Sequence, residues 1–345
     1  MNNLPILVSM GDACGIGPEV AVAAVARAIA ASPQGRGDAC LVGDVAVLRR
    51  AARIMGVALP LVVLDSVDEP APAHALPVWQ PPGLPSNLMD LPLGQVRAEA
   101  GRAAAQCIEA AVREIQGGRG RALVTAPIHK EALHAAGVAY PGHTEMLQAL
   151  CVNASGTLPP VRMMLANDEL RVVLVTIHVA LRQAVTLIDA ERVLQTLLIT
   201  DEALRRFGLT RPRIAVAGLN PHAGEGGLFG DEELLHIAPA VAQAKALGLD
   251  VCGPLAPDTV FMRARHAPPH KVGEFDAVVA MTHDQGLIPV KYLGVDQGVN
   301  VTLGLPLVRT SPDHGTAFDI AGQGLADPAS MCAALRMARA LAASV

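Results

Sequence analysis

The stretch "ILVSMGDACGIGPEVAVAAVARAIAAS" (residues 6–32) has the order of a buried strand, a glycine-rich turn and a helix. "ILVSM" is a short apolar run typical of a buried strand. Pro18 begins the alanine-rich segment, where its fixed φ and missing N–H are tolerated in a first helical turn. Gly15 and Gly17 match the start of a dinucleotide-binding G-x-G-x-x-G, but Val20 occupies the third glycine position. The turn is therefore not a Rossmann fingerprint.

The same alternation of short apolar runs and helical stretches continues along the chain. Residues 171–178, 213–220 and 277–284 are nearly continuous apolar runs that end in polar residues. Such runs suit strands that are buried on both faces, which predicts an α/β fold in two lobes. We expect mostly loop at 66–95 and a loop at 309–322 that leads into a helix. Ligands in open α/β sheets bind beyond the carboxyl ends of strands, so candidate site residues are sought there.

Composition excludes several classes of function. The 345 residues suffice for two domains, and 51% of them are hydrophobic, enough for a large core. A 2% aromatic content and a net charge of −5 argue against a nucleic-acid partner. The six cysteines form no C-x-x-C pair, which argues against a cysteine zinc site and a disulfide framework. Without a signal peptide or an apolar run of about 18 residues, we expect a cytoplasmic protein with no membrane partner.

Three predicted strands deliver a histidine at their ends: His178, His222 and His283. Imidazole is a common ligand of divalent metals, and three protein ligands with one open position describe a catalytic zinc-type site. A lone histidine at a strand end is more often structural, and spacing does not show that the three converge. The residues thus leave two interpretations, a tri-histidine metal site and three structural histidines.

A second set of residues has the chemistry of an anion site. Its members are His143, Thr144, Lys291, Asn300 and Arg309. An arginine fork, a lysine charge and neutral donors suit a small phosphorylated or carboxylated substrate. The alternative is that Lys291 and Arg309 are ordinary solvated charges, although both stand among apolar residues and glycines.

The segment "NPHAGEGGLFGDEE" (220–233) is predicted to be a loop because it is rich in glycine. Its acidic end would begin a helix, where negative charge complements the helix dipole. Long polar loops at strand ends are either linkers or ligand-binding elements, and we favour the second.

Several long segments together resemble one known family, the PdxA family. Its members are the 4-hydroxythreonine-4-phosphate dehydrogenases of vitamin B6 biosynthesis and their close paralogues. The matching segments span nearly the whole chain and are "GDACGIGPEV", "VTAPIHKEAL", "YPGHTEML", "MMLANDELRVVLVTIHVALR", "AGLNPHAGEGGLFGDEE", "GPLAPDTVF", "AMTHDQGLIPVKYLG" and "GVNVTLGLPLVRTSPDHGTAFDIAG".

The resemblance implies a fold of two α/β/α domains, similar to isopropylmalate and isocitrate dehydrogenases, with the active site in the interdomain cleft. The first domain would comprise residues 1–127 plus 306–345. The second, residues 128–305, would carry most metal and substrate residues and the interface of a homodimer, with the active site near that interface. The opening turn would shape the cleft floor, with Asp12 facing the site and NAD held by loops elsewhere.

The resemblance also implies roles for individual residues. The metal ligands would be His178, His222 and His283, for zinc or alternatively magnesium or cobalt. The substrate-binding residues would be His143, Thr144, Lys291, Asn300 and Arg309. The candidates for acid–base catalysis would be Asp258, Asp284 and Lys291, with metal-bound water as a further proton acceptor. The cofactor would be NAD, with NADP as the alternative, and no residue is assigned to it.

The reaction implied by the resemblance is oxidation of 4-phosphooxy-L-threonine to a 3-keto acid. That acid decarboxylates to 3-amino-2-oxopropyl phosphate in pyridoxal phosphate biosynthesis. Two departures from the family pattern, Ala13-Cys14 where Pro-Ala is usual and Thr282 where tyrosine is common, leave the substrate open. The alternatives are 4-phospho-D-threonate or a dihydrodiol dicarboxylate in catabolism, and a metal- and phosphate-binding protein without turnover.

Overall fold

The computed structural model describes residues 4–153, 155–294 and 297–343, and the chain divides into two compact units. The first unit runs to Pro160 and resumes over Leu305–Ala342. The second unit is formed by Val161–Gly304. Each unit contributes its own set of neighbouring strands.

The strands are short, and most are apolar. They are β1 (Ile6–Ser9), β2 (Ala39–Val42), β3 (Leu61–Val63), β4 (Leu76–Trp79), β5 (Ala122–Thr125), β6 (Arg162–Ala166), β7 (Arg171–Leu174), β8 (Arg213–Ala217), β9 (Asp250–Leu255), β10 (Ala277–Ala280), β11 (Val299–Leu303) and β12 (Val308–Pro312).

The helices alternate with the strands. They are α1 (Gly17–Ala31), α2 (Val45–Ile54), α3 (Ala98–Gln116), α4 (Lys130–Ala135), α5 (His143–Leu150), α6 (Leu181–Leu187), α7 (Ala190–Arg206), α8 (Ala238–Ala246), α9 (Pro257–Ala264), α10 (His283–Leu293) and α11 (Ala329–Ala342). Asp44 and Asp189 cap α2 and α7, since their carboxylates accept the backbone N–H three residues on. Over the described residues, none of the helices is both long and apolar enough to cross a bilayer.

The sheet of the first unit is parallel throughout, in the order β3–β4–β2–β1–β5–β12. Its central strands are buried along their whole length, as expected where helices such as α1, α3 and α11 pack on a sheet. Ser9 pairs with Thr125, so β1 and β5 end level with each other. The segments that follow these two strands therefore leave the sheet at the same edge.

The sheet of the second unit has the order β11–β6–β7–β10–β8–β9. Strands β7, β10, β8 and β9 are parallel, and β6 is antiparallel to both of its neighbours. The apolar residues of these strands form a buried core with α9 and α10, which includes Val172, Ala215 and Val278. The predicted strands at 171–178, 213–220 and 277–284 are confirmed, each shorter than the apolar run.

The opening stretch forms the predicted strand, turn and helix. Its glycines are required by close approach of the backbone. A Cβ on Gly17 would lie 2.7 Å from the Met10 carbonyl oxygen, and one on Gly15 would lie 2.8 Å from that of Thr316. Gly11 also has a φ of +72°, which disfavours a side chain. The turn therefore brings the start of α1 directly against the end of β1.

Part of 66–95, which we expected to be mostly loop, is strand β4, placed between β3 and β2. Pro77 obscured it, because proline lacks a ladder donor and is normally confined to edge strands. The Leu76 N–H donates to the carbonyl oxygen of Pro60, which lies on the β3 side. Because successive N–H groups of a strand point to opposite sides, the Pro77 nitrogen faces β2. Pairing with β2 begins only at Val78, one residue after the proline.

The predicted loop at 309–322 is wrong at its beginning, where β12 pairs in parallel with β5. The polar residues Arg309, Thr310 and Ser311 gave no apolar signal, yet all three are buried. The Thr310 hydroxyl donates to the Ala334 carbonyl oxygen of α11, which satisfies it inside the core. Arg309 is thus a buried strand residue and not part of a loop.

Residues 128–160, expected in the second domain, lie in the first unit. The reason is the close packing of α4 on α3. A Cβ on Gly101 of α3 would lie 2.2 Å from the Ala132 carbonyl oxygen and 2.8 Å from the Leu133 nitrogen. The two helices therefore touch backbone to backbone, which ties this segment to the first sheet.

We expect Gly101→Ala to destabilise the protein by about 2–3 kcal/mol, because the methyl group would overlap backbone atoms that cannot rotate away. Helix propensity alone predicts the opposite sign, a gain of about 1 kcal/mol for alanine over glycine. Gly315→Ala is the matched control in the same unit, since a Cβ there meets nothing within 4 Å. Urea unfolding measures both variants, and a stabilised Gly101→Ala would contradict the close packing of α3 and α4.

Candidate functional site

The three predicted metal histidines follow three neighbouring strands of the second unit. His178 comes after β7, His283 after β10 and His222 after β8, and these strands lie side by side in the order β7–β10–β8. Because the strands are parallel, their carboxyl ends share one edge of the sheet. The fold thus delivers all three imidazoles to the edge where α/β sheets bind ligands.

His178 and His283 lie close together, with ring centroids 5.5 Å apart and ring planes tilted by 45°. With Zn–N distances of about 2.0–2.1 Å and tetrahedral angles, two imidazoles on one zinc ion have ring centres about 5–5.5 Å apart. The Nδ1 atom of His283 lies 2.7 Å from Asp284 Oδ1. That hydrogen bond leaves Nε2 for a ligand, an arrangement common among metal-bound histidines. The pair fits a shared divalent ion.

His222 lies on the loop after β8, and its ring packs 6.3 Å from that of Phe229. Its backbone has a φ of 53°, in the left-handed region. Within the described parts of the chain, no group of three His, Cys, Asp or Glu side chains is placed to hold one ion. In a single chain, His178 and His283 therefore lie close together, and the third predicted ligand, His222, lies on a loop at the same edge of the sheet.

Two side chains connect the ends of these strands through three hydrogen bonds. The Thr176 hydroxyl donates to the Met281 carbonyl oxygen over 2.8 Å, which joins the segments after β7 and β10. The side chain of Gln285 accepts from the Met281 N–H and donates to the Gly218 carbonyl oxygen, both over 2.7 Å. Gln285 thus joins the segments after β10 and β8. Its role depends on a tertiary contact with Gly218, which the sequence does not reveal.

The loop that carries His222 is fixed by a second residue that the sequence analysis missed. Glu233 is buried, and its carboxylate accepts the backbone N–H groups of Leu219 and Asn220, each over 2.7 Å. The sequence indicates Glu233 only as an acid at a helix start. The signal that could have found it is its place at the end of a glycine-rich loop that contains a candidate ligand.

The remaining site residues predicted in the second unit are Asp258, Asp284, Lys291 and Asn300. Asp258 is exposed in the first turn of α9, after β9, which lies next to β8. Asp284 is exposed and bound to His283. Lys291 lies eight residues along α10 from His283, about 12 Å by helix rise. Asn300 is in β11, opposite Leu165 of β6. Asp258 and Asp284 thus lie at the same edge of the sheet as the histidines, and Lys291 does not.

A cavity of about 390 Å³ opens beside the paired histidines. His178, His283 and Asp284 line it together with the apolar side chains of Ile177 and Val179. A small molecule in this cavity would contact both imidazoles.

In the first unit, Arg309 lies in the core of the sheet and is only 3% exposed. Its Nη2 and Nε atoms donate to the Thr125 hydroxyl over 2.6 and 3.2 Å. Burial lowers the pKa of Arg309 to about 10, so the guanidinium remains charged at neutral pH. A fixed, desolvated guanidinium is a strong partner for a phosphate or carboxylate. Thr125, which orients it, was not predicted as a site residue.

His143 begins α5 directly after Gly142, and Thr144 follows in the same turn. Among the described residues, the shielded Nε2 atom of His143 has no hydrogen-bond partner. Burial, and secondly the charge of Arg309, hold the pKa of His143 well below its ordinary value. The ring is therefore neutral at neutral pH and keeps one nitrogen for a ligand.

The first unit also contains a buried acid. Asp12 follows β1, and its Oδ1 atom accepts the Cys14 N–H over 2.8 Å. Its Oδ2 atom has no partner among the described residues. Burial raises the pKa of Asp12 to about 6, against the Cys14 hydrogen bond and the charge of His129, which lower it. His129 follows β5 and stacks on Phe318 at 4.7 Å. Sequence reasoning missed His129, although it follows a predicted strand.

Cys14 has a structural explanation. Its side chain is fully buried, and its carbonyl oxygen accepts the Gly94 N–H over 2.8 Å. Burial raises the pKa of the thiol to about 11, so it stays protonated and packs as a small apolar group.

Comparison with known proteins identifies the family. The family model of the pyridoxal phosphate biosynthetic protein PdxA matches residues 36–338. The chain belongs to this family. A 4-hydroxythreonine-4-phosphate dehydrogenase from Beijerinckia indica is 50% identical over 329 residues, covering 95% of this chain and 92% of that protein. The resemblance predicted from the motifs is confirmed, and the chain is a PdxA-type dehydrogenase, an oxidoreductase.

Further relatives and solved structures also match this chain. A D-threonate 4-phosphate dehydrogenase from Pectobacterium atrosepticum is 44% identical and covers 98% of this chain and 99% of that one. The crystal structure of a 4-hydroxythreonine-4-phosphate dehydrogenase from Klebsiella pneumoniae matches with a TM-score of 0.86 at 43% identity, over 98% of each chain. A terephthalate 1,2-cis-dihydrodiol dehydrogenase from Burkholderia xenovorans has a TM-score of 0.67 at 31% identity, over 97% of each chain. The predicted α/β fold class is confirmed.

The buried carboxyl of Asp12 predicts a pH dependence of stability. Its folded-state pKa of about 6 lies above the ordinary 3.8, so the folded protein binds this proton more tightly than the unfolded chain. Stability from this group is therefore lost as the pH rises through about 6. Asp12→Asn keeps an acceptor for Cys14 and has no proton to lose. Its stability relative to wild type should grow by about 1 kcal/mol between about pH 5 and about pH 7.5.

Urea unfolding at the two pH values measures this difference. Asp90→Asn, which makes the same change at an exposed position, should show no such growth. A difference between Asp12→Asn and wild type that stays constant with pH would contradict the burial of an ionisable Asp12.

Proposed function

We propose that this enzyme oxidises 4-phosphooxy-L-threonine with NAD, with NADP as the alternative. The resulting 3-keto acid would lose carbon dioxide to give 3-amino-2-oxopropyl phosphate, for pyridoxal phosphate biosynthesis. The observation that carries the proposal is the close pair of imidazoles, His178 and His283, at the ligand-binding edge of a dehydrogenase of this family.

We assign His178, His222 and His283 to a divalent ion, with zinc as the first choice and magnesium or cobalt as alternatives. The centroid separation of His178 and His283 supports this assignment, and so does the bond from Asp284 that orients His283. When bound, such an ion supplies positive charge that favours deprotonation of the substrate hydroxyl and loss of carbon dioxide from the keto acid.

The residues around the histidines divide the remaining work. Asp284 is bound to His283 Nδ1, so we assign it to orienting that ring. Asp258 is exposed at the same edge, which makes it the better placed acceptor for the hydroxyl proton. Lys291, about 12 Å along α10 from His283, is assigned to substrate binding instead.

The anionic groups of the substrate would be bound by charged and neutral donors. In the first unit, Arg309 supplies a buried charge, and His143 and Thr144 supply neutral groups. In the second unit, Lys291 and Asn300 are the proposed donors. Fixing the anionic ends fixes the carbon that loses hydride, which converts binding energy into orientation.

The proposal includes a homodimer with each active site near the subunit interface, in the cytoplasm. The support from this chain is that the described residues pair only two of the three histidines. A site beside an interface would accommodate the third.

A second candidate substrate is 4-phospho-D-threonate, which the name of the relative at 44% identity favours. Both candidates carry the phosphate that Arg309 would bind, so the two are separated by assay. The purified enzyme should reduce NAD with 4-phosphooxy-L-threonine and do so more efficiently than with 4-phospho-D-threonate or a dihydrodiol dicarboxylate. A higher kcat/KM for 4-phospho-D-threonate would replace the proposed substrate, and full activity after complete chelation would overturn the metal-dependent mechanism.

His222→Ala should lower bound zinc and abolish NADH formation, because a ligand of the ion is lost. The control is His270→Ala, an exposed histidine of the same unit, which should keep both. Metal content is measured on the purified full-length variants. Unchanged zinc content in His222→Ala would remove this residue from the ligand set.

A further inference from the structure

The loop that carries His222 has an unfavourable backbone. His222, Ala223 and Glu225 have φ values of 53°, 55° and 43°, and the glycines between and after them are also positive. A left-handed conformation is unfavourable for a non-glycine residue, because Cβ approaches the following carbonyl oxygen. Such a run persists only where surrounding contacts over-determine it. The contacts that do so therefore decide where the His222 imidazole points.

The main contact is the carboxylate of Glu233, which is 2% exposed. Its Oε1 atom accepts two successive backbone N–H groups, those of Leu219 and Asn220, each over 2.7 Å. Its Oε2 atom accepts from Asn220 Nδ2 over 2.9 Å. One buried carboxylate thus fixes the two residues that precede Pro221 and His222. Hydrogen bonds to an ionised acceptor are roughly twice as strong as neutral ones.

The same carboxylate fills the space inside the loop. A Cβ on Gly218 would lie 3.0 Å from Glu233 Oε1, and one on Gly224 would lie 2.7 Å from Oε2. Gly218 precedes His222 and Gly224 follows it. The loop therefore wraps around Glu233 on both sides of the histidine, with glycine at the two closest points.

Glu233 itself has a rigid support. It begins a π-helical stretch, Glu233–Ile237, that continues directly into α8. The α8 helix packs on α7 and on β9. Glu233 therefore connects the loop to the packed body of the second unit.

We propose that Glu233 is the positioning residue for His222. It holds the left-handed turn through Leu219 and Asn220, and so sets the affinity of the site for a divalent ion without contacting the ion. The proposal rests on the proposed function, since it takes His222 as a metal ligand.

Glu233→Gln tests this role at constant size. The amide keeps one oxygen but places an NH₂ group opposite a donor of the loop, and it removes the negative charge. Asp231→Asn is the matched control: the same chemical change two residues earlier, at an exposed side chain. We measure zinc affinity of the metal-free, full-length protein by competition with a chromophoric chelator. Glu233→Gln should lower the affinity by about 10–100-fold, and Asp231→Asn should not change it.

A double-mutant cycle with His222→Ala separates positioning from a general structural role. If Glu233 acts through His222, Glu233→Gln should cause no further loss of zinc affinity once His222 is alanine. The same fold loss in both backgrounds would overturn the proposal. If His222→Ala alone leaves zinc affinity unchanged, the assignment of His222 as a metal ligand fails. Any effect of Glu233→Gln on zinc affinity would then have another origin, contrary to the proposal.

Asn220→Ala provides a milder variant in case Glu233→Gln does not fold cooperatively. It removes only the side-chain donor to Glu233 and Glu232 and keeps both backbone bonds. It should lower zinc affinity by a smaller factor, again only when His222 is present. Two results together would contradict the proposal. One is an unchanged zinc affinity in a folded Asn220→Ala, and the other is a loss of zinc affinity in a folded Glu233 variant that does not depend on His222.

Discussion

The parallel pairing of β10 with β7 on one side and β8 on the other is the constraint on which the candidate site depends. Parallel neighbours end at the same edge, so the segments that carry His178, His283 and His222 must leave the sheet together. Gly286 then lets α10 lie close to β7, because a Cβ there would be 2.5 Å from Leu174 Cδ2. The helix that begins at His283 is thereby held against the strand that precedes His178.

In the first unit, strands β1 and β5 likewise end at one edge. Asp12 and His129 follow β1 and β5, whereas Arg309 lies inside β12, and both Asp12 and Arg309 are buried. Burial raises the pKa of Asp12 and lowers that of Arg309, so in both cases the charged form is disfavoured. Folding tolerates this cost because the sheet and helices fix these groups. A desolvated guanidinium such as that of Arg309 also attracts an anion more strongly than a solvated one does.

The sequence predicts those strands and site residues that have a local pattern of apolar and polar residues. Continuous apolar runs indicated β7, β8 and β10, and the polar residue after each run indicated the histidines. Strand β12 was missed because Arg309 and its neighbours are polar and gain their burial only from α11 and β5. Residues 128–160 were assigned to the other domain because the contact of Gly101 with Ala132 is tertiary. The contacts of Gln285 with Gly218 and of Glu233 with Leu219 are equally non-local, so neither side chain was recognisable as part of the site.

At the histidines, the backbone conformation in the folded protein conflicts with the local preference of the residue. His178 and His222 both have left-handed φ values, 50° and 53°, which glycine would adopt at lower cost. His283 instead begins a regular helix and is oriented by Asp284. Local preference and side-chain chemistry therefore disagree at two of the three positions. Strained backbone of this kind is concentrated at functional sites, where the surrounding structure must hold it. In our proposal, Glu233 holds it at His222 through Leu219 and Asn220, so that the imidazole can stand where the backbone alone would favour glycine.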